Sequence, residues 1–585
     1  MRRMLVFLLM VTILLCGFSA CSSTDGEKTA EEVTTEKASE EFCNQKYGVF
    51  VHYAPFYSAN QYGKSSDIQT TAEGFDAVGF AKDIASTGAE YIIFTAWHAR
   101  MNLLYPSQVM EQYRPGHCSQ RDVIGDMLDA LEPYDIDVWL YTHPYLGYHM
   151  SSSERVSTGY GEGNHPSDSN KPNPETFQYS KWNDFINEVY GELVDRYAGR
   201  IKGLFLDEGI PSAGMDEFVD FNRLRKTIKE ANPSILMMQN FYGTNYSCDI
   251  GMKEYGPGWG EFGQSDEGLW PCYEIPVGVA FSYDWMAKKS ADVPVVRYTA
   301  QSMFRYTVLQ AGCNTDGGGC SWAAGLYVGG GWEKDVLSTL QQVGTWYSQR
   351  REALADTRPS TSYPLVSGTT IDQLPYGIVA TKSTDGKKEY IHVLTPPEGK
   401  TLYLPLPGDG KVFDGAYLLE SDMPVSLTYA PNGVTITLPE EATWDELDTV
   451  LVLSVAQQDL PKHQTRYVRD TDVDIAYEGM WEYSRWERNC GDYEGDMHQS
   501  DEFGASVTYT FTGVGIAWLT PCSPEQREVK IWVDDVYQGV YSAYASTYEA
   551  KQIRFRSPEL KYGTHTIRIE NSRGRICVDG FVIMR

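Results

Sequence analysis

Ile201-Lys-Gly-Leu-Phe-Leu-Asp207 is a short apolar run that stops at a carboxylate. It reads as a strand covered on both faces, the kind that builds a parallel sheet. Four further runs share the pattern: Gly48-Val-Phe-Val-His52, Tyr91-Ile-Ile-Phe-Thr-Ala-Trp-His98, Asp137-Val-Trp-Leu-Tyr-Thr-His143 and Ile235-Leu-Met-Met-Gln-Asn240. Between them lie stretches of helical period, Phe75–Thr87, Arg121–Leu131, Trp182–Ala198 and Glu217–Ala231. This alternation predicts an α/β fold of βα units. From Cys43 to about Ser360, roughly 320 residues with this rhythm suit a (β/α)8-type barrel with long loops, of which the last three units cannot be traced.

The runs end in polar groups: His52, His98, Tyr141 and His143, Asp207 with Glu208, then Gln239 and Asn240. In a barrel the carboxyl ends of the strands converge on one mouth, so these side chains predict a single pocket. Asp207 follows its strand directly and is held by a rigid element. A fixed carboxylate suits attack on an anomeric carbon, whose oxocarbenium-like transition state needs a closely placed anion. Capping of the next helix is the structural alternative. A retaining glycosidase also needs a second carboxyl group about 5–5.5 Å away.

These motifs, in order, resemble glycoside hydrolase family 29, the α-L-fucosidases. Tyr47-Gly-Val-Phe-Val-His-Tyr-Ala54 resembles the family's Phe-Gly-Ile-Phe-Ile-His-Trp-Gly, and Arg121-Asp-Val-Ile-Gly125 resembles its Arg-Asp-Leu-Val-Gly. Ile201-Lys-Gly-Leu-Phe-Leu-Asp-Glu-Gly209 resembles Ile-Asp-Gly-Leu-Trp-Phe-Asp-Gly-Gly, whose Asp is the nucleophile, and Gly344-Thr-Trp-Tyr347 with Thr357-Arg-Pro359 resembles its closing motifs. The resemblance implies Asp207 as nucleophile and His52, His98 and Tyr141 as substrate-binding residues, with no metal and no organic cofactor; His143 and Trp270 join them as substrate-binding candidates. Where the family writes Thr-Ala-Lys-His-His-Asp-Gly-Phe, this chain has Thr95-Ala-Trp-His-Ala-Arg-Met-Asn102, so Ala99 replaces the second His. Thr142 stands where the family has the second of two tyrosines, and His143 is an addition. Trp270-Pro-Cys-Tyr-Glu274 resembles the segment with the acid/base glutamate, but Pro271 takes its place and Glu274 falls three residues later. Glu274 is the candidate acid/base, with Glu208, Glu254, Glu261 and Glu267 as alternatives. The implied function is exo-acting, retaining hydrolysis of terminal α-L-fucose or a related sugar from glycans. An inactive glycan-binding protein and a glycosidase for another sugar, such as an α-galactoside, are the rival readings.

Glycine-rich loops around Trp259, Trp270, Trp322 and Trp332 lack the context of a phosphate cradle, and their rings could stack on sugars or fill the core. At the amino end, Arg2 and Arg3, the apolar Met4 to Gly17 and Phe18-Ser-Ala-Cys21 look like a bacterial lipoprotein signal peptide. The resemblance implies a signal over 1–20, lipid attachment at Cys21 and a tethered location outside the cytoplasm, with the membrane contacted only through that anchor. Residues 21–42, poor in apolar side chains, predict a flexible acidic stalk. The barrel would occupy 43–360. Alternating runs between Gly, Pro and Asp turns predict an antiparallel β-sandwich over 361–456, and a second such region over 465–585 resembles the jelly-roll, galactose-binding-like modules appended to glycosidases, with Trp481, Tyr483, Trp486 and Tyr493 as loop aromatics and His565 in a strand.

The 79 acidic against 49 basic residues give a net charge of −30, which opposes binding to nucleic acid. Eleven cysteines occur without a Cys-x-x-Cys pair. This excludes a zinc signature, and Cys313 with Cys320 could close a small disulfide loop.

Overall fold

The computed structural model describes residues 30–584 except 57, 59–65, 145–146, 148, 167, 208–217, 241–247, 253–278, 281–297, 314–318, 366–368, 410, 431–432, 457–464, 473, 486–495, 559 and 562. After helix α1 (Ala30–Cys43) come eight strands of one parallel sheet: β1 (Tyr47–His52), β2 (Tyr91–Thr95), β3 (Asp137–Thr142), β4 (Gly203–Leu206), β5 (Leu236–Asn240), β6 (Ile250–Met252), β7 (Val279–Ala280) and β8 (Cys320–Gly325). Their order across the sheet is β6-β5-β4-β3-β2-β1-β8-β7, every neighbouring pair parallel. The five runs read from sequence are β1 to β5. The three that could not be traced are β6 to β8, two of them only three and two residues long, too short to leave a periodic signal.

The helices α2 (Ala77–Ser86), α3 (Val123–Leu131), α4 (Tyr179–Tyr197), α5 (Phe221–Ala231), α6 (Ala300–Cys313) and α7 (Val336–Gln349) lie between and after the strands. Four begin within four residues of the positions read from periodicity. Asp76, Asp122 and Asp220 cap α2, α3 and α5, each side chain accepting from a backbone N–H three residues on.

The strands alternate strictly. Val49, Val51, Ile92, Phe94, Val138, Leu140, Leu204, Leu206 and Met237 pack with the helices in the main core. Phe50, Tyr91, Ile93, Trp139, Tyr141, Phe205, Leu236, Met238, Ile250 and Ala323 form a separate apolar layer on the other face. The period of two makes these two sets. Large rings on one strand require space on the next: a Cβ on Gly48 would lie 2.3 Å from the Tyr91 ring and one on Gly203 2.1 Å from Trp139.

The amino-terminal segment corrects the expectation of a stalk. Residues 30–43 are helical, and Phe42 seats its ring 5.1 Å from Tyr91 and 4.7 Å from Trp139, under the amino end of the sheet. Thr35 donates to the Pro233 carbonyl (3.2 Å) and accepts from Lys229 (3.0 Å), whose ammonium also pairs with buried Asp249 at 2.9 Å. A few well-placed apolar and hydroxyl groups dock a helix whose average composition is polar. Residues 1–29, including Cys21, lie outside the described residues. No helix among the described residues is long and apolar enough to cross a membrane.

Two antiparallel assemblies follow. In the first, the strands Thr357–Pro359, Ile378–Ser383, Lys388–Val393, Thr449–Val455 and Phe413–Leu418 form one sheet and Thr401–Leu404, Gly433–Thr437 and Ser426–Ala430 another. Ile391, Val393 and Leu451 of one sheet share a core with Leu402, Val434 and Ile436 of the other. The second assembly, from Thr465 to Met584, has sheets of four, five and three strands around Trp518, Val507, Ile569 and Phe581. His565 lies in the strand Gly563–Arg573 and contacts Asp534 at 2.6 Å. Trp486 and Tyr493 lie outside the described residues.

One further expectation is corrected, and one open alternative is decided. Cys313 and Cys320 are free thiols, not a disulfide. Trp322 is a fully buried core residue of β8 whose indole donates to Thr307 (3.3 Å), and Trp332 donates to Asp83 on α2 (2.8 Å). Neither ring is a sugar platform.

Candidate active site

The side chains gathered at the carboxyl ends follow from the alternation. Two residues past Phe50 comes His52, two past Tyr141 comes His143, and two past Phe205 comes Asp207. Each continues the inner face of its strand beyond the apolar layer.

Asp207 is positioned by both neighbours. Its backbone N–H donates to the Thr142 carbonyl at 2.9 Å, extending the β3–β4 ladder by one residue. The Tyr141 hydroxyl donates to its Oδ2. His143 Nε2 lies 4.0 Å from the same oxygen. The carboxylate is 15% exposed, open enough to meet a substrate. Tyr141 lies stacked against Phe205, centroids 5.4 Å apart, so its hydroxyl is aimed by an immobile ring.

The histidines extend the wall. His52 stacks on Phe50 at 4.4 Å and meets the Tyr141 ring edge-on at 5.3 Å. His98 stacks on Tyr141 at 5.4 Å and lies 5.6 Å from His143. Burial, and then the nearby His98, holds the pKa of His52 well below the usual imidazole range. Burial pushes His143 down to about 3. Both are neutral near pH 7, able to donate through one nitrogen and accept through the other, as hydroxyl recognition demands. His143 is further fixed by Trp97, whose indole donates to its carbonyl at 3.0 Å.

Thr142, which stands where the family motif has its second tyrosine, has its side chain on the other face of β3. It donates to the Phe205 carbonyl (2.9 Å) and accepts from Tyr190 of α4 (2.7 Å), binding strand to helix. Ala99 is buried, 4% exposed. Met101, at the position where the family motif has Gly, adopts a left-handed φ of +48°, a conformation that favours glycine.

Glu274 and Trp270 lie outside the described residues, as do Glu208, Glu254, Glu261, Glu267 and Trp259. The structure brings together five of the sequence-derived residues: His52, His98, Tyr141, His143 and Asp207. Sequence reading missed Phe50 and Trp97, which hold His52 and His143. Their only signal was that each aromatic lies within one turn of strand register of a polar end. Among the described residues no group of three or more His, Cys, Asp or Glu side chains is placed to hold a metal ion.

Residues 61–270 match the family model for Alpha-L-fucosidase. The chain is 34% identical over 102 residues to an A type blood N-acetyl-alpha-D-galactosamine deacetylase of Flavonifractor plautii, 17% of this chain and 13% of that protein. It is 25% identical over 171 residues to the A type blood alpha-D-galactosamine galactosaminidase of the same organism, 28% of this chain and 15% of that one. It is 30% identical over 128 residues to a protein of Caenorhabditis elegans named as an alpha-L-fucosidase, 21% of this chain and 24% of that one. The chain thus spans no more than about a quarter of the length of these relatives. Its fold is shared with alpha-L-fucosidase isoenzyme 1 from Paenibacillus thiaminolyticus, with a TM-score of 0.54 at 17% identity over 72% of this chain and 100% of that one. The alpha-L-fucosidase from Vibrio sp. strain EJY3 has a TM-score of 0.55 at 14% identity over 94% of this chain and 98% of that one. The region 61–270, similar to the Alpha-L-fucosidase family model, contains His98, Tyr141, His143 and Asp207.

Proposed function

We propose that this protein is an exo-acting, retaining glycosidase that releases terminal α-L-fucose, or a related sugar, from glycans. The observation that carries this is Asp207 at the end of β4, receiving the Tyr141 hydroxyl beside neutral His143. In this reading one Asp207 oxygen attacks the anomeric carbon while the bond to the leaving oxygen breaks and a glutamic acid, Glu274, protonates that oxygen. The resulting glycosyl ester is opened by water, whose proton returns to the same glutamate. Neutral His52 and His143, with His98, hold the sugar hydroxyls without placing a cation against the oxocarbenium-like transition state. The cyclic order of the eight strands supports closure of the sheet into a barrel with these groups at its mouth. Tethering through a lipid on Cys21, outside the cytoplasm, and glycan binding by the carboxyl-terminal assembly complete the proposal.

The test is hydrolysis of aryl α-L-fucoside, α-D-galactoside and α-D-galactosaminide by the full chain and by Asp207→Asn. Release of one sugar that disappears in the variant supports the reading and names the sugar. The relative described as a galactosaminidase makes the third substrate a specific second reading. Turnover that survives in Asp207→Asn would overturn the nucleophile assignment, and silence on all three with retained glycan binding would favour a capture protein.

A further inference from the structure

The loops that leave the carboxyl ends of β1 and β2 carry a cation that the proposed chemistry does not use. Arg100 lies two residues beyond His98, on the loop that leaves β2. Its guanidinium rests 4.8 Å above the ring of Phe56, on the loop that leaves β1. In a chain with 79 acidic and 49 basic residues, no carboxylate among the described residues pairs with it. Its Nε is shielded from solvent and has no hydrogen-bond partner among those residues. A planar guanidinium with no carboxylate partner is available to the oxyanion of a ligand.

The scaffold behind Arg100 is built for presentation. Buried Arg114 donates to the Arg100 and Met101 carbonyls at 3.1 and 3.0 Å and to Glu154 at 3.1 Å. Asn102 contacts His117 at 2.9 Å. The Met101 N–H closes a tight turn onto the His98 carbonyl at 2.7 Å. Phe56 and Met101 both adopt left-handed backbone, φ +67° and +48°, which is rare for large side chains and concentrates where a site over-determines the chain. Phe56 is 45% exposed, leaving the stacked pair at the surface of the mouth. His149, on the loop after β3, has its pKa lowered by burial and then by Arg100 and Arg114, so it adds a neutral donor to this rim.

We propose that Arg100, stacked on Phe56, recognises an anionic group, a carboxylate or a sulfate ester, on the sugar next to the one that is cleaved. β3 lies between β2 and β4, two strand spacings or about 10 Å, and the proposal therefore assigns Arg100 to the neighbouring sugar and not to the reacting carbon. A planar fork fits either oxyanion in bidentate fashion. The α-L-fucosidase motif has Asp at this position, so the charge is reversed in this chain. The inference rests on the glycosidase reading for its cleaved sugar, but its binding test does not need turnover.

The experiment is calorimetric binding to full-length Asp207→Asn of a fucosylated galactosyl-N-acetylglucosamine trisaccharide in three forms: neutral, sulfated on galactose and sialylated on galactose. The anionic forms are expected to bind about tenfold more tightly than the neutral one. Arg100→Gln, checked for unchanged thermal unfolding, should remove that advantage, and Arg100→Lys should keep part of it. Raising salt should shrink it. A response to the sulfated form alone, or the sialylated form alone, identifies which anion the site takes. Equal binding of all three forms, an advantage that persists in Arg100→Gln, or no binding of any would overturn the proposal. If wild-type protein cleaves none of the sugars tested but the anionic advantage depends on Arg100, the glycosidase reading fails and this site stands.

Discussion

The Tyr141 hydroxyl donates to Asp207 Oδ2 across two adjacent strands. Neither residue can drift without disturbing the sheet: Asp207 is held by its own N–H to Thr142 at 2.9 Å, and Tyr141 by its stack on Phe205. The aim of the carboxylate therefore derives from backbone register and ring packing, the most rigid elements of the molecule.

Removing that hydroxyl tests the arrangement. Tyr141→Phe keeps the ring and its packing but leaves Asp207 without this donor. Misplacement of a reacting group by about 1 Å costs about 10²-fold, so kcat should fall by up to that order with little change in KM. Steady-state kinetics on the substrate identified by the panel gives the answer, and a kcat within about threefold of wild type would show that Tyr141 does not set the aim.

Burial of His143 makes a pH prediction. Its folded pKa is pushed down to about 3, against an ordinary value of 6.5. Below pH 6.5 the unfolded chain takes up a proton that the folded chain refuses, so the stability present above that pH is lost as pH falls towards 3. The slope is at most about 1.4 kcal/mol per pH unit. Urea unfolding between pH 6 and pH 4.5 should therefore be less steeply pH-dependent in His143→Gln than in wild type by roughly that amount. Parallel slopes would mean that the imidazole titrates normally in the folded protein.

The half of the site that was legible in the sequence was legible for a physical reason. Period-two alternation fixes which residues of a strand share a face, so His52, His143 and Asp207 could be read as extensions of the faces marked by Phe50, Tyr141 and Phe205. The same parity puts Thr142 on the helix side, and the motif comparison missed this because it counts positions without faces. Helices α2 to α5 were visible through their 3.6-residue period. Strands β6 and β7 were not, because three and two residues carry no period at all. Helix α1 was misread because composition averages over a segment, whereas docking depends on Phe42, Thr35 and a few contacts from Lys229 and Pro233 that are distant in sequence. The Arg100–Phe56 pair was invisible for a similar reason: it joins two loops.

Helix α1 should behave as part of the fold. Phe42 is 5% exposed and wedged between Tyr91 and Trp139. Phe42→Ala should destabilise by about 3–5 kcal/mol, the range for a buried Phe, and lower the thermal midpoint. A stalk residue would change stability by less than about 0.5 kcal/mol. A soluble fragment that begins at Ala30 should accordingly be more stable than one that begins at Cys43, which would expose the floor of the sheet.

The junction of the parallel-sheet region and the first antiparallel assembly depends on one buried cation. Arg350, just past α7 and 1% exposed, reaches Glu420 at 2.8 Å, Asp445 at 3.1 Å and the carboxylate of Asp448 at 3.3 Å, and donates to the Asp448 carbonyl at 2.8 Å. Asp448 is fully buried and also contacts His392 Nδ1 at 2.9 Å, while His392 Nε2 faces the Ala353 carbonyl at 3.3 Å. Removing one member strands the others in a low-dielectric interior, so Arg350→Met should cost about 3–5 kcal/mol. The double substitution Arg350→Met with Asp448→Leu should recover much of that loss, because no uncompensated charge is then left buried. Chemical denaturation of wild type, both single variants and the double variant completes the cycle. Additive losses in the double variant would show that Arg350 and Asp448 are not energetically coupled, and that apolar packing alone holds the two regions together.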